Sequence, residues 1–221
     1  MTVEIDSVEL SFDQKKILYG VYLKGETGKI TGVLGRNGSG KTCLLRILFG
    51  DLKPTYKNIR LDGNHLKESL FERNLVAYLP QHKMLPVNMK ISRAFDFFQA
   101  NWSNFTNTFD SFGIYTNSKI NELSSSELRV IETYLILNSG KKIILLDEPF
   151  SFVAPIYVEK FKKLILEKKN DSAIIITDHF YREILSISDS TYLLKNGYSK
   201  LIQSKKDLEN EGYISSNPQQ R

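Results

Sequence analysis

The segment GRNGSGKT at 35–42 fits the spacing G-x-x-x-x-G-K-[ST], and that spacing suits a polyphosphate. Glycine lets backbone N–H groups close around phosphate oxygens with no Cβ in the way. A helix opening directly after the loop adds unsatisfied N–H groups and the positive end of its dipole. Lys41 brings a positive charge to the outer phosphates, and the Thr42 hydroxyl can ligate Mg²⁺. Gly35, Asn37, Gly38, Ser39, Gly40, Lys41, Thr42 and Cys43 are therefore the candidate nucleotide-contacting residues. A second acidic element belongs with them, because the apolar run IILL at 143–146 ends in Asp147 and Glu148. A carboxylate at the end of an apolar strand can serve as an outer ligand for Mg²⁺, the role expected of Asp147. Glu148, one residue on, can orient or deprotonate an attacking water.

Those residues act together only if the fold gathers them. The run at 29–34 reads as a buried strand entering the glycine-rich turn, and 43–49 as the helix leaving it. Val3, Ile5, Val8, Leu10 and Phe12 alternate as in a half-buried strand, 17–23 reads as a second, and Asp62-Gly63 marks a turn after a strand at 58–61. Runs at 75–79, 143–146, 173–177 and 191–194 predict further strands, with helices over 155–167 and about 180–185. Short apolar strands between helices predict a parallel-type sheet covered on both faces. Between about 86 and 138 the pattern turns helical. Phe95, Phe98, Trp102, Phe105, Phe109 and Phe112 recur at spacings of three and four, with breaks expected at Asn101 and Asn104. A second helical pattern follows Glu127. The tail SSNPQQR at 215–221 is expected to be disordered.

Composition narrows the classes. The chain has 221 residues, 41% apolar and 25% charged, which suits one globular domain. A net charge of +5 falls short of the clustered basic excess of a dedicated nucleic-acid binder, so no nucleic-acid partner is expected. One cysteine excludes an internal disulfide framework. MTVEIDS carries neither the basic nor the apolar segment of a secretory signal, and no apolar run approaches the ~20 residues of a membrane span. A cytoplasmic protein, reaching any membrane through a partner, is the expected setting.

In combination these motifs resemble the ATP-binding subunit of ABC transporters, over nearly the whole chain. After GRNGSGKT comes Gln81 in YLPQH, which resembles the family's Q-loop glutamine, a contact to Mg²⁺ and water that senses the membrane partner. LSSSE at 123–127 sits where the LSGGQ signature belongs, with Ser124 as the expected γ-phosphate contact. IILLDEP is similar to the Walker B segment, and His179 in IIITDHF to the switch histidine on γ-phosphate. Phe12 stands where an aromatic residue stacks on adenine. Its rival reading is a core-facing strand residue, with Tyr19 as the fallback. DEPF and TDHxxRE resemble the branch holding lipopolysaccharide-export and branched-chain amino-acid ATPases.

The resemblance implies a P-loop NTPase (RecA-like) α/β core with an N-terminal antiparallel β-subdomain and an inserted α-helical subdomain, in one domain over 1–221. It implies ATP and Mg²⁺ as ligands, hydrolysis of ATP, and head-to-tail dimers with each ATP between one phosphate loop and the opposite signature. The other half of the dimer is a second copy or another ABC ATPase subunit, and the driven partner is a membrane-spanning permease. The aromatic stripe is then the core of the helical subdomain, or in part a groove for the partner's coupling helix.

The chain departs from the family at Ser125 and Ser126 for the signature glycines, Glu127 for its glutamine, Ala154 for the D-loop aspartate, and Cys43 for a hydroxyl residue. An added Cβ in the signature would suffer at any φ > 0. Cys43 reads as a small apolar filler, or as a redox-sensitive thiol if its pKa is lowered. These changes touch the half of the site offered to the other subunit, so turnover in a homodimer is expected to be slow. The runner-up reading is a regulatory nucleotide-binding clamp with little hydrolysis. A nucleic-acid- or ribosome-acting relative and a small-molecule P-loop kinase are more distant alternatives.

Overall fold

The structure, a computed structural model, describes residues 1–215; the expectation of a disordered tail falls, Ser215 apart, outside them. The chain runs β1 (Thr2–Phe12), β2 (Lys15–Glu26), β3 (Ile30–Leu34), α1 (Lys41–Phe49), β4 (Tyr56–Leu61), β5 (Asn64–His65) and β6 (Val76–Leu79). Then come α2 (Ile91–Phe97), α3 (Trp102–Thr108), α4 (Ser125–Leu137), β7 (Ile143–Asp147) and α5 (Pro155–Lys168). The chain continues through β8 (Ala173–Thr177), α6 (Tyr181–Ile187), β9 (Ser190–Lys195), β10 (Tyr198–Ile202) and α7 (Lys205–Asn210). Short 3₁₀ turns at Asp110–Tyr115 and Ile120–Glu122 lie between α3 and α4.

β3, β7 and β8 are buried at every position, as strands covered on both faces must be. They lie in a six-stranded sheet of order β10-β9-β3-β8-β7-β6, parallel except at the β10 edge. The pairings Leu79↔Leu146, Asp147↔Thr177 and Val33↔Thr177 bring the carboxyl ends of β6, β7, β8 and β3 to one level. The antiparallel hairpin strand β10, the two-residue β5 and α7 were not legible as elements. β10 alternates polar and apolar too weakly, and β5 is too short to carry a period.

A second, antiparallel sheet has the order β2-β1-β4-β5. The apolar phase of β1 slips between Ile5 and Val8 because the register shifts there, with Ser7 at φ 53°. A further shift between Leu10 and Ser11 turns Phe12 outward, 49% exposed, so the core-facing reading of Phe12 is corrected. Under this sheet, Val3, Ile5, Val21 and Leu23 pack with Leu44 and Leu48 of α1 against one face of the parallel sheet. On the other face, Ile144, Leu146 and Ile176 meet α4, α5 and the aromatic cluster.

That cluster spans two helices rather than one stripe. Asn101 accepts the Asn104 N–H and caps α3, so the chain breaks there, whereas Asn104 is inside α3 and breaks nothing. Phe109 and Phe112 lie past the end of α3 yet remain buried. Phe98 and Trp102 pack at the edge of the core. Phe105 is fully buried among the rings of Phe95, Trp102, Phe109, Phe112 and Tyr134, with centroids 4.9 to 5.3 Å away. Phe105→Ala is expected to cost about 3–5 kcal/mol, read as a lower urea midpoint; a midpoint matching wild type would mean the cluster does not hold these helices.

Candidate active site

The loop from β3 to α1 is shaped by contacts only glycine permits. Gly40, before the first turn of α1, has φ 101°, and a Cβ there would stand 2.7 Å from Leu18 Cδ2. A Cβ on Gly35 would meet the Leu194 carbonyl at 2.8 Å. Lys41 is 5% exposed and folded onto its own loop, where Nζ donates to the Gly35 carbonyl at 2.8 Å and to that of Arg36 at 3.4 Å. Burial pulls its pKa below the ordinary lysine value, against the opposing charges of Glu148, Asp147 and Asp178. The Ser39 hydroxyl is buried with no hydrogen-bond partner among the described residues, and the N–H groups of the first turn of α1 have none within the helix. These are donors in want of acceptors, which a phosphate supplies.

A cavity of about 580 Å³ opens beside the loop, lined among others by Lys15, Lys16, Asn37, Gly38, Lys195 and Tyr213. Its basic rim suits a polyphosphate. Phe12 pairs with Lys15, which lines this cavity, across the β1–β2 turn, and its ring is 49% exposed. Tyr19 stacks edge-on against Tyr198 at 5.4 Å, with Lys16 Nζ over its ring, so its face is already taken. Residues after α7 close the outer wall, where Arg36 donates to the Gly212 carbonyl. Thr42 is half-buried at the second position of α1. Cys43 packs against the core beneath the loop. Burial raises its thiol pKa, which corrects the redox reading and leaves the filler reading.

The acidic half lies at the level ends of β6, β7 and β8. Asp147 is fully buried, and its two oxygens accept from Thr177 Oγ1 at 2.6 Å and Tyr78 OH at 3.2 Å. Glu148 has φ 51°, a left-handed turn that ends β7 and is pinned by its N–H donating to the Thr177 carbonyl at 2.8 Å. Four expected and unexpected neighbours converge on its carboxylate. Gln81 Nε2 donates to it at 2.8 Å and Ser151 Oγ at 3.4 Å, while His179 Nδ1 stands at 3.8 Å and Lys41 Nζ at 3.9 Å. Asp178, buried before His179, accepts the Phe150 and Phe180 N–H groups. Burial holds its carboxyl above the usual range in spite of those donors. The structure thus brings Lys41, Gln81, Glu148 and His179 to one point, with Asp147 next to Glu148 in the chain.

Ser124 belongs to another surface. It is the exposed N-cap of α4, where its Oγ accepts the Glu127 N–H and its own N–H donates to Glu127. Tyr115 OH donates to the other Glu127 oxygen at 2.5 Å. Burial works against that carboxylate's charge, but the Ser124 and Tyr115 hydrogen bonds outweigh it and lower its pKa. Ser125 and Ser126 lie in the first turn of α4, and neither has positive φ, so their Cβ atoms meet no backbone strain. Ala154 is the N-cap of α5 and offers no side-chain acceptor to it.

Tyr78, Ser151, Thr177, Asp178, Arg129 and Glu132 are site-supporting residues that sequence reasoning missed. Arg129 and Glu132 left a signal, two charges three residues apart inside the apolar run of α4. The others are single polar residues at strand ends or in turns, which carry no pattern.

The candidate Mg²⁺ donors, the Thr42 hydroxyl, the Gln81 amide oxygen and the Asp147 carboxylate, are hard oxygens, and each Asp147 oxygen keeps a free lone pair beyond its one donor. Among the described residues no three His, Cys, Asp or Glu side chains gather around a metal site. A set this small fits Mg²⁺, which keeps waters and takes the rest of its shell from substrate phosphates.

The family model described as ABC transporter matches residues 18–151. The ribose import ATP-binding protein RbsA of Pseudomonas putida is 24% identical over 213 residues, 88% of this chain and 42% of that protein. The lipopolysaccharide export system ATP-binding protein LptB of Haemophilus influenzae is 28% identical over 216 residues, 87% of this chain and 86% of that protein. This chain therefore spans less than half of RbsA and most of LptB. A solved ATP-binding subunit of an ABC transporter superposes with TM-score 0.80 at 16% identity, covering 98% of this chain and 95% of that one. That likeness shows the fold, a P-loop NTPase core with an antiparallel β-subdomain and a helical insertion.

Two substitutions test the site's physics. Lys41→Met is expected to weaken nucleoside triphosphate affinity at least about ten-fold by calorimetry, since a charge-assisted contact is lost. The same variant melts no lower than wild type, because the fold disfavours a buried ammonium there; lower stability with normal affinity would reverse both assignments. Ala154→Asp supplies the missing cap and is expected to raise stability by about 0.5–2 kcal/mol in urea unfolding; no gain would mean the α5 start lacks a free donor.

Proposed function

This chain belongs to the ABC transporter family, and from that we propose that it is the ATP-hydrolysing subunit that drives a separate membrane-spanning partner. The observation that carries the reading is the convergence of Gln81, Ser151, His179 and Lys41 on the Glu148 carboxylate beside the phosphate loop. ATP is held by the loop at 35–42, with Phe12 against its base. Lys41 exchanges the Gly35 carbonyl for the β- and γ-phosphates, so its burial cost is met by a stronger acceptor. Thr42, Gln81 and Asp147 hold Mg²⁺, which supplies charge to offset that developing on the phosphates.

Glu148 takes the proton of the attacking water. Gln81 steadies that carboxylate through a neutral N–H, and His179, 42% exposed at the rim, reaches toward the γ-phosphate. Ser124 contacts the ATP held by the opposite subunit, in a dimer with a second copy or with another ABC ATPase. No helix of the described residues is long and apolar enough to cross a membrane. On this reading the subunit sits at the cytoplasmic face through its permease partner. A groove of about 790 Å³ that includes Phe71, Pro80, His82, Met84, Phe97 and Phe98 receives the partner; Phe98 is the member of the aromatic stripe that lines it, and Phe97 beside it is 77% exposed. The regulatory-clamp alternative is not favoured, since the half of the site built within one chain is complete. RbsA is named for import and LptB for export, so the relatives leave direction and cargo open.

The purified chain is expected to hydrolyse ATP, and Glu148→Gln to lower turnover by about 10²-fold or more while binding is kept. The variant is also expected to elute as a dimer only with ATP in size-exclusion chromatography. Turnover at the wild-type rate in the variant would remove Glu148 as the base, and an ATP-independent elution volume would remove the sandwich between two copies of this chain.

A further inference from the structure

α4 carries two buried charges in an otherwise apolar run, and neither side chain is engaged with an opposite charge at hydrogen-bond distance. The Arg129 guanidinium donates to three backbone carbonyls, those of Pro80 at 2.6 Å, Asp147 at 2.5 Å and Glu148 at 3.0 Å. Glu132, 1% exposed and one turn further on, uses a single oxygen, Oε1, to accept the N–H groups of Met84 at 2.7 Å and Leu85 at 3.0 Å. Five backbone groups from two separate segments are thus tied to one face of one helix.

The placement of those groups is specific. Pro80 lies immediately before Gln81, and Met84 and Leu85 follow Lys83, so both ends of the 81–83 loop are fastened while its middle is not. Gln81, His82 and Lys83 are exposed, and with Ser125 and Glu148 they line a cavity of about 240 Å³. The other two carbonyls flank the Glu148 residue whose backbone is left-handed. A bulky residue in that conformation is unfavourable by itself and persists only where its surroundings fix it. Burying an arginine on neutral acceptors and a carboxylate on two amides is costly by packing criteria alone, since apolar side chains of similar size would fill the space.

We propose that Arg129 and Glu132 are positioning residues that lock both ends of the Gln81 loop and the Glu148 peptide to the helix that begins at Ser124. Through them, Gln81 and the Glu148 carboxylate it touches keep one geometry, and a displacement of α4 carries both with it. This rests on Glu148 being the hydrolytic base. The brace supplies no proton and touches no phosphate, so it acts on turnover and not on ATP affinity. Because one Glu132 oxygen receives both amides, a glutamine carbonyl can reproduce the contact, whereas an apolar side chain of like volume cannot. A lysine at 129 offers one point donor in place of a planar fork and cannot span carbonyls on two strand ends.

The test uses the full chain and four variants, Glu132→Gln, Glu132→Leu, Arg129→Lys and Arg129→Met. Steady-state ATP hydrolysis is expected to fall roughly ten-fold or more in kcat for Glu132→Leu, Arg129→Lys and Arg129→Met, with KM for ATP within about two-fold of wild type. Glu132→Gln is expected to restore kcat to within about three-fold. Wild-type kcat in folded Arg129→Lys overturns the proposal, and so does a Glu132→Gln as slow as Glu132→Leu. Amide hydrogen exchange gives a readout independent of hydrolysis. Exchange at Met84 and Leu85 is expected to speed by about ten-fold or more in Glu132→Leu and not in Glu132→Gln; equal protection in all chains overturns the brace. If the apolar variants do not fold, Arg129→Lys and Glu132→Gln decide. A wild-type chain that hydrolyses no ATP strikes the functional reading instead, and the exchange result then judges the brace alone.

Discussion

The pairing of Asp147 in β7 with Thr177 in β8, and of Thr177 with Val33 in β3, sets the height at which three strands of the central sheet end. From that level edge the chain turns into the phosphate loop, into Glu148 and into His179, and β6 ends beside them to deliver Gln81. Parallel strands with buried faces have little freedom of register, because a slip of one residue turns each apolar side chain to the opposite face. The site therefore inherits its precision from the core. The hydroxyl of Thr177, whose backbone lies in the ladder, donates to Asp147 at 2.6 Å, so the sheet also orients the candidate metal ligand.

The charges at that edge are arranged to remain useful. Among the described residues the two buried cations, Lys41 and Arg129, donate their hydrogen bonds to backbone carbonyls and leave the carboxylates free of close ion pairs. Glu148 receives its direct hydrogen bonds from neutral donors, Gln81 and Ser151, while its nearest cation stands 3.9 Å away. A neutral donor holds a carboxylate in place without cancelling its charge. The Glu148 side chain is thereby fixed in direction. The left-handed backbone at Glu148, of order 1 kcal/mol or more in cost, is offset by its N–H on the Thr177 carbonyl and by Arg129 on its own carbonyl.

What the sequence disclosed follows from how each feature is encoded. The phosphate loop and the Asp147-Glu148 pair are contiguous and sit at ends of strongly apolar strands, so motif and context reinforce one another. Gln81 and His179 are single residues; only the order of motifs singled them out, and only the sheet register explains why they meet. Phe12 was ambiguous because alternation in β1 is interrupted by three register shifts, which no count of period two can place. The aromatic run looked continuous since the packing of Phe109 and Phe112 continues past the helix that ends at Thr108. Arg129 and Glu132 were hidden for the opposite reason. Their partners are backbone groups from distant segments, and backbone partners leave no side-chain pattern to read.

The two helix N-termini that matter for phosphate are unequal. The first turn of α1 carries Lys41 and no acid, whereas that of α4 carries Glu127 and no base. Glu127 already occupies the Ser124 N–H, so part of what α4 offers to an anion is spent within the chain. The Ser124 and Tyr115 hydrogen bonds hold that carboxylate in place and, against its burial, favour its charged form, which repels a second anion. In a head-to-tail pair of identical chains, each triphosphate would be held strongly from one side and weakly from the other. A clamp is only as firm as its weaker jaw. Serines in place of the signature glycines cost little in backbone strain, so the acid, more than the missing glycines, weakens that jaw. Pairing with a subunit whose signature helix lacks this acid would place one firm jaw opposite this chain's phosphate loop. The asymmetry thus rests on the lysine at the start of α1 and the acid at the start of α4.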